Sequence, residues 1–147
     1  QTVIRPDPQA FWEPARPLES WKADAIFSSK TGDEDGGGQW EILTPRAAEA
    51  WPMRWNGLTF EARRTAFRHM GVFQEHSVHW QFAQDQIRAA KRPVKVLNLF
   101  GYTGMMSLAC AAAEAEVTHL DASPKSNNYG KDNQAMSGPR DSPWQQV

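Results

Sequence analysis

One cysteine and no long apolar run set the outer limits on this 147-residue chain. A single thiol excludes an intrachain disulfide framework, and the place of Cys110 in an Ala-rich apolar stretch marks it as a buried structural group and not a nucleophile. No stretch approaches the ~18 to 20 consecutive apolar residues that a membrane-crossing helix needs. No segment pairs a basic start with an apolar centre, as a secretory signal does. Net charge is only −1, which argues against a strongly polyanion-binding protein and against a disordered acidic tail. These absences lead to the expectation of a globular, cytoplasmic chain.

The charge that is present is unevenly spread. Residues 54–95 carry eight Lys/Arg against three Asp/Glu, and residues 1–53 five against nine. The middle is therefore basic, as either a solvated face or a weak RNA-facing surface would be. Residues 5–18 hold four prolines around Phe11 and Trp12, so residues 1–19 read as an extended arm that docks through its aromatics. Strands are expected at residues 23–28 and 40–43. Between them the acidic, Gly-rich stretch 31–38 is a turn without the acid spacing of a calcium loop. Asn56-Gly57 between the runs 53–55 and 58–62 is a strong hairpin signal. Together these pieces predict a small antiparallel β domain over residues 20–75, suited to substrate docking or scaffolding.

Residues 76–92 switch to a helical period, with Trp80, Ala83, Ile87 and Ala90 on one face. Arg88, Lys91 and Arg92 complement the helix dipole at its end, and Pro93 stops it. Among His69, His76 and His79 only the last two are one turn apart and no Cys accompanies them, so the pattern is not that of a zinc site. His119, inside an apolar strand, reads as a packed core histidine.

The chain is organised around residues 94–121, VKVLNLFGYTGMMSLACAAAEAEVTHLD, a strand–loop–helix–strand unit that reads as half of a nucleoside-cofactor site. Val94, Val96, Leu97, Leu99 and Phe100 form the apolar run of a parallel strand covered on both faces. Gly101 ends it and lets the backbone approach a ligand. A helix opens at Gly104, and its free N–H groups offer an anion site. A second strand, 117–120, closes on Asp121. That acid lies twenty positions after Gly101, the separation at which a βαβ unit sets a carboxylate against ribose hydroxyls. A dinucleotide loop wants G-x-G-x-x-G, whereas Gly104 is followed by Met and Ser, which weakens the pyrophosphate reading. S-adenosylmethionine, with no phosphate, needs only the glycine, the helix start and the acid.

The run Val96-Leu97-Asn98-Leu99-Phe100-Gly101-Tyr102-Thr103-Gly104, followed by Leu120-Asp121-Ala122-Ser123 and Asp132-Asn133-Gln134-Ala135, resembles the class I S-adenosylmethionine-dependent methyltransferases. It is most similar to the bacterial branch that includes the large-subunit ribosomal RNA cytosine-C5 methyltransferases. Upstream, Gly71-Val72-Phe73-Gln74-Glu75-His76 resembles that branch's G-[LV]-F-P-E-Q segment, with Gln74 and His76 in place of Pro and Gln. The resemblance implies a Rossmann-like α/β sheet, preceded by the small β domain and incomplete in this chain, with the methyltransferase domain over residues 76–147. It implies S-adenosyl-L-methionine as cofactor and an RNA substrate, ribosomal as in that branch. It gives Asp121 to the ribose, Gly101 to close approach, the backbone of Tyr102, Thr103 and Gly104 to the methionine end, and Phe73 and Glu75 to a lid. Asn98, Phe100, Ala122 and Ser123 are carried with them as cofactor-binding positions.

After Asp121, Ser123 and Pro124 are a helix N-cap and first helical residue. Ser126-Asn127-Asn128-Tyr129-Gly130 is a run of poor helix formers, and local distortion is expected there. Glu114, where the family has Gly, lacks the preferred helix C-cap. Residues 142–147 look like a turn into a third strand, so the chain is expected to be a fragment. The family's catalytic proline-containing loop would lie beyond Val147, which leaves the catalytic residues unknown. Two other readings stay open: a non-catalytic truncated domain or binding module, and a nicotinamide-dependent oxidoreductase.

Overall fold

The computed structural model describes residues 1–5, 10–29, 37–138 and 145–146. Part of the proline-rich arm, nearly all of the Gly-rich acidic turn and the expected turn at residues 142–144 lie outside the described residues. The chain divides into two compact units, Gln1–Trp51 with Arg63–Gly71, and Pro52–Ala62 with Val72–Val147.

In the first unit Val3–Ile4 (β1) runs parallel to Ala25–Ser29 (β2), which pairs antiparallel with Gly38–Ile42 (β3). The sheet is mixed and not antiparallel as expected, because the first residues of the arm add a parallel strand at its edge. Alternation buries Ala25 and Phe27. Phe27 faces Trp40 across the ladder with the rings edge to face at 5.2 Å. Gly38 belongs to the same contact, since a Cβ there would run into the Phe27 ring and the Ser28 carbonyl.

Asp24, 3 % exposed, ties this unit together. Its Oδ2 accepts from the Thr2 amide at 2.8 Å and its Oδ1 from the Thr44 hydroxyl at 2.7 Å, with the Arg46 guanidinium at 3.4 Å. The Thr44 and Thr2 hydrogen bonds, with the Arg46 charge, hold the carboxyl below its ordinary value against the opposing effect of burial. A carboxyl that binds its proton less readily when folded contributes stability above the unfolded carboxylate range. That contribution is lost as pH falls through the lower folded value. Thermal melts followed by circular dichroism from about pH 5 to about pH 2 are therefore expected to fall less steeply for Asp24→Asn than for the wild type.

Ala50–Trp55 (β4) and Leu58–Arg63 (β5) form a hairpin. Its turn residues Asn56 and Gly57 have φ of 43° and 78°, both left-handed, as the tight turn requires. Leu58, Phe60 and Ala62 are its buried alternate residues. The residue pattern groups this hairpin with the strands before it, whereas Pro52–Ala62 packs within the second unit. The reason is aromatic. Trp55 and Phe60 both stand edge-on to Trp80, at 5.4 and 6.4 Å.

Trp80 lies in Ser77–Ala89 (α1), which follows a 3-10 turn at Gln74–His76. The expected face is buried at Trp80 and half-buried at Ala83 and Ile87. Gln84 joins it from inside, donating to the Ala109 carbonyl at 3.0 Å. Then come Lys95–Asn98 (β6), Met105–Ala112 (α2), Glu116–His119 (β7), Pro124–Met136 (α3) and Gln145–Gln146 (β8). β7 lies between β6 and β8 and is parallel to both, the arrangement that helical crossovers produce. Cys110, Ala111, Ala115 and Val117 form the centre of the core, with Ala83, Ile87, Val94, Val96 and Met106 packed on them. The small side chains of α2 let α1 and the sheet approach closely.

Coverage of the 94–100 run on both faces is not found. Val94 and Val96 pack into the core, but Leu97, Leu99 and Phe100 are 60, 52 and 89 % exposed. Among the described residues β6 is the edge of its sheet, and an apolar groove of about 610 Å³, with Phe82, Ile87, Val96, Leu97 and Met106 in its lining, opens beside it.

The distortion expected after Ser126 is also absent, since α3 is continuous. Its start is as anticipated, with Pro124 in the first turn and the Ser123 hydroxyl accepting from the Ser126 amide at 3.2 Å. The poor helix formers are held by backbone elsewhere. Asn127 Nδ2 donates to the Asp121 carbonyl at 2.9 Å, and the Tyr129 hydroxyl to the Glu61 carbonyl at 2.9 Å. At the other end of the helix the Ser137 hydroxyl donates to the Thr59 carbonyl at 2.7 Å. The outer edge of β5 is thus satisfied by side chains of a helix and not by another strand.

Just past the end of α2 Glu114 has φ 69°, its amide bonded to the Ala111 carbonyl at 2.9 Å and that of Ala115 to the Cys110 carbonyl at 3.2 Å. This is the left-handed position that favours glycine, where a side chain costs ~1–2 kcal/mol. Glu114→Gly is accordingly expected to raise stability by about 1 kcal/mol, the added chain entropy of glycine offsetting part of the relief. A urea midpoint that rises with an unchanged slope would register the gain; an unchanged or lower midpoint would refute it.

Candidate functional site

The loop from β6 to α2 is built by Asn98. Its side-chain oxygen accepts from the Phe100 amide at 3.3 Å, its amide donates to the Ser107 hydroxyl at 3.0 Å, and its carbonyl accepts from the Leu120 amide at 2.9 Å. The Gly101 amide returns a bond to the Leu120 carbonyl at 2.9 Å, and the Gly104 amide closes the turn on Gly101 at 2.9 Å. The loop is therefore stitched to the segment leaving β7 on both sides of its bend. Tyr102 and Gly104 both have positive φ, 47° and 90°. The first is a strained setting for a bulky residue.

Asp121 explains how that setting is held. Its Oδ2 accepts from the Tyr102 amide at 2.7 Å and its Oδ1 from the Ser123 amide at 2.8 Å. Each carboxylate oxygen has two acceptor positions, so each keeps one for a further donor. Burial, and then the Asp121 charge, push the Tyr102 hydroxyl above its ordinary value, so the phenol stays protonated. Thr103, 2 % exposed, gives its carbonyl to Asn133 Nδ2 at 2.9 Å, and Asn133 Oδ1 accepts from the Glu61 amide at 2.9 Å. The first turn of α2 has no side-chain cap, which leaves its amides directed toward the loop.

Asn98, Gly101, Tyr102, Thr103, Gly104, Asp121 and Ser123 are thus brought together by hydrogen bonds. Phe73 joins them through its ring, 5.3 Å from that of Tyr102, with His76 5.3 Å from Phe73 on another side. Glu75, Phe100 and Ala122 are exposed, and of the three only Phe100 enters the stitched loop, through its backbone amide and not its ring. Gly101 has a reason the sequence did not suggest. A Cβ there would fall on Cε1 of the His119 ring and within 2.6 Å of Nδ1. His119 is 0 % exposed, and its Nδ1 lies 2.9 Å from the Ser107 hydroxyl.

Ser107, His119, Asn127 and Asn133 shape this site without having been assigned to it. Nothing local could mark the first three, because their partners lie on other elements. Asn133 did carry a signal, since it falls within Asp132-Asn133-Gln134-Ala135.

A model of the family described as S-adenosylmethionine-dependent methyltransferase matches residues 30–142. A ribosomal RNA large subunit methyltransferase K/L of Shewanella frigidimarina is 30 % identical over 116 residues, 78 % of this chain and 16 % of that protein. One of the same description from Pseudoalteromonas atlantica is 34 % identical over 83 residues, 56 % of this chain and 11 % of its own length. Among solved structures, the SAM dependent methyltransferase from Agrobacterium tumefaciens is 46 % identical with a TM-score of 0.89 and matches 99 % of this chain but 45 % of its own. A putative SAM-dependent methyltransferase from Streptococcus mutans, 23 % identical with a TM-score of 0.60 over 74 % of this chain and 28 % of its own, shares the α/β fold. This chain therefore spans less than half of the Agrobacterium protein and under a fifth of the two curated relatives.

Proposed function

Because the chain belongs to the S-adenosylmethionine-dependent methyltransferase family, we propose that it provides the cofactor-binding half-site of an enzyme that methylates RNA, with large-subunit ribosomal RNA as the substrate class. The observation that carries the cofactor reading is Asp121, which holds the loop by one acceptor position of each carboxylate oxygen and keeps the other pair for two adjacent hydroxyls. A ribose presents such a pair. S-adenosylmethionine, when bound, supplies an electrophilic methyl group on a sulfonium centre.

The chain's own part is binding and orientation. Asp121 accepts from the ribose hydroxyls, and the amides at the start of α2 receive the carboxylate of the methionine end. Tyr102, Thr103 and Gly104 shape the backbone between them, while Phe73, resting on Tyr102, walls the loop from the side. A preformed loop of this kind orients its ligand without ordering the backbone at the moment of binding. The nicotinamide alternative does not fit: read from Gly101, the second and third glycine positions of a pyrophosphate loop are occupied by Thr103 and Met106. The mixed β unit around Asp24 would serve as the small domain that helps hold RNA; the ribosomal RNA activity in the names of both curated relatives supports that assignment of substrate.

Isothermal titration of the folded chain with S-adenosylmethionine tests the reading, with NAD as the comparison ligand. Saturable heat with S-adenosylmethionine and none with NAD is expected. A folded chain that takes up neither would make this a non-catalytic module and remove the proposal.

A further inference from the structure

We propose that His119 is a positioning residue that holds the cofactor loop from beneath, and that Gly101 lacks a side chain in order to admit the His119 ring and not the ligand. The inference rests on the cofactor reading of the loop and changes what its leading glycine does.

His119 is fully enclosed, at a strand position where an aliphatic side chain would pack without any polar group to satisfy. Its ring instead belongs to a polar relay. Asn98 donates to the Ser107 hydroxyl at 3.0 Å, and that hydroxyl meets His119 Nδ1 at 2.9 Å. Asn98 in turn receives the Phe100 amide at 3.3 Å. The relay joins the end of β6, the first turns of α2 and the end of β7, three elements that converge under the loop. Burial lowers the basicity of the ring, against smaller opposing effects of Asn127 and Asp121, which favours the neutral imidazole that can accept from Ser107.

The ring also sets the height of the loop. With a Cβ at Gly101 excluded by Cε1, Nε2 and Nδ1 of His119, the backbone rests directly on the imidazole. The next residue, Tyr102, is the one whose amide reaches Asp121 Oδ2 at 2.7 Å. Displacing Gly101 from the ring would therefore lift Tyr102 from Asp121 and disturb the ribose-binding carboxylate without touching the ligand.

The test is a paired substitution. Gly101→Ala should weaken S-adenosylmethionine binding at least ~10-fold by titration calorimetry, and Gly101→Ala with His119→Asn should restore it to within about three-fold of the wild type. Asparagine is smaller than histidine and keeps an acceptor where Nδ1 stood, so it makes room for the introduced methyl group while preserving the bond to Ser107. Thermal unfolding of the same three proteins is the second readout, with a melting temperature that falls in the single variant and recovers in the double one. Unchanged affinity in Gly101→Ala would overturn the proposal. So would a folded double variant that binds as weakly as the single one, because the glycine would then be required by the ligand. If the single variant does not fold, recovery of folding by His119→Asn supports the proposal and its failure refutes it. If the wild type binds no S-adenosylmethionine, the cofactor reading fails by itself, and the melting temperatures still decide whether His119 dictates the glycine.

Discussion

Asp121→Ala is expected to reduce S-adenosylmethionine affinity by about 100-fold or more, measured by titration calorimetry. Hydrogen bonds to a charged acceptor contribute roughly 1.5–3 kcal/mol each, and each 1.4 kcal/mol is a factor of ten, so two ribose hydroxyls alone account for that loss. A second cost adds to it. The carboxylate holds the Tyr102 amide at 2.7 Å with Tyr102 at φ 47°, a backbone setting that costs on the order of 1–2 kcal/mol and relaxes once its anchor is removed. Asp121→Asn should fare little better despite its matching shape, because its NH2 group would face an N–H donor on one side, either Tyr102 at 2.7 Å or Ser123 at 2.8 Å. Retention of wild-type affinity in both variants would show that the carboxylate does not contact the ligand.

The largest loss of stability is expected from Asn133→Ala. Asn133 is 0 % exposed, and its one amide group serves two distant backbones, the Thr103 carbonyl and the Glu61 amide, each at 2.9 Å. Truncation leaves both unsatisfied in the interior at about 1–3 kcal/mol apiece, a total of roughly 3–4 kcal/mol. Against the ~5–15 kcal/mol that a domain of ordinary stability possesses, that is a large share. Asn133→Asp should be at least as damaging, since it keeps the acceptor for Glu61 but turns a buried carboxylate oxygen toward the Thr103 carbonyl. Urea unfolding reads the effect, and a loss below about 1 kcal/mol for Asn133→Ala would mean that the bridge is replaced by water.

What could be read from the sequence was local. Asn56-Gly57 marks its hairpin because the turn geometry is a property of those two residues, and Ser123-Pro124 marks the start of α3 for the same reason. The strand–loop–helix–strand order up to Asp121 follows from periodicity and spacing. The reason for Gly101 does not, because His119 reaches it from eighteen positions away through the fold. Asn127 and Tyr129 look like helix disruptors until the Asp121 and Glu61 carbonyls are brought to them. The exposure of Leu97, Leu99 and Phe100 was equally out of reach, since an apolar run records what a strand can pack against and not what stands beside it.

Cys110 gives the second unit a chemical clock. It is 1 % exposed, at the centre of the packing between α1, α2 and the sheet, and burial pushes its thiol up to about 11. At mildly alkaline pH the native protein therefore offers an alkylating reagent neither access nor an appreciable thiolate population. Since the chain has no other thiol, its rate of labelling counts the openings of this one helix pair. Ligand bound at the loop above α2 would be visible as a slower count, with no label added to the protein by design.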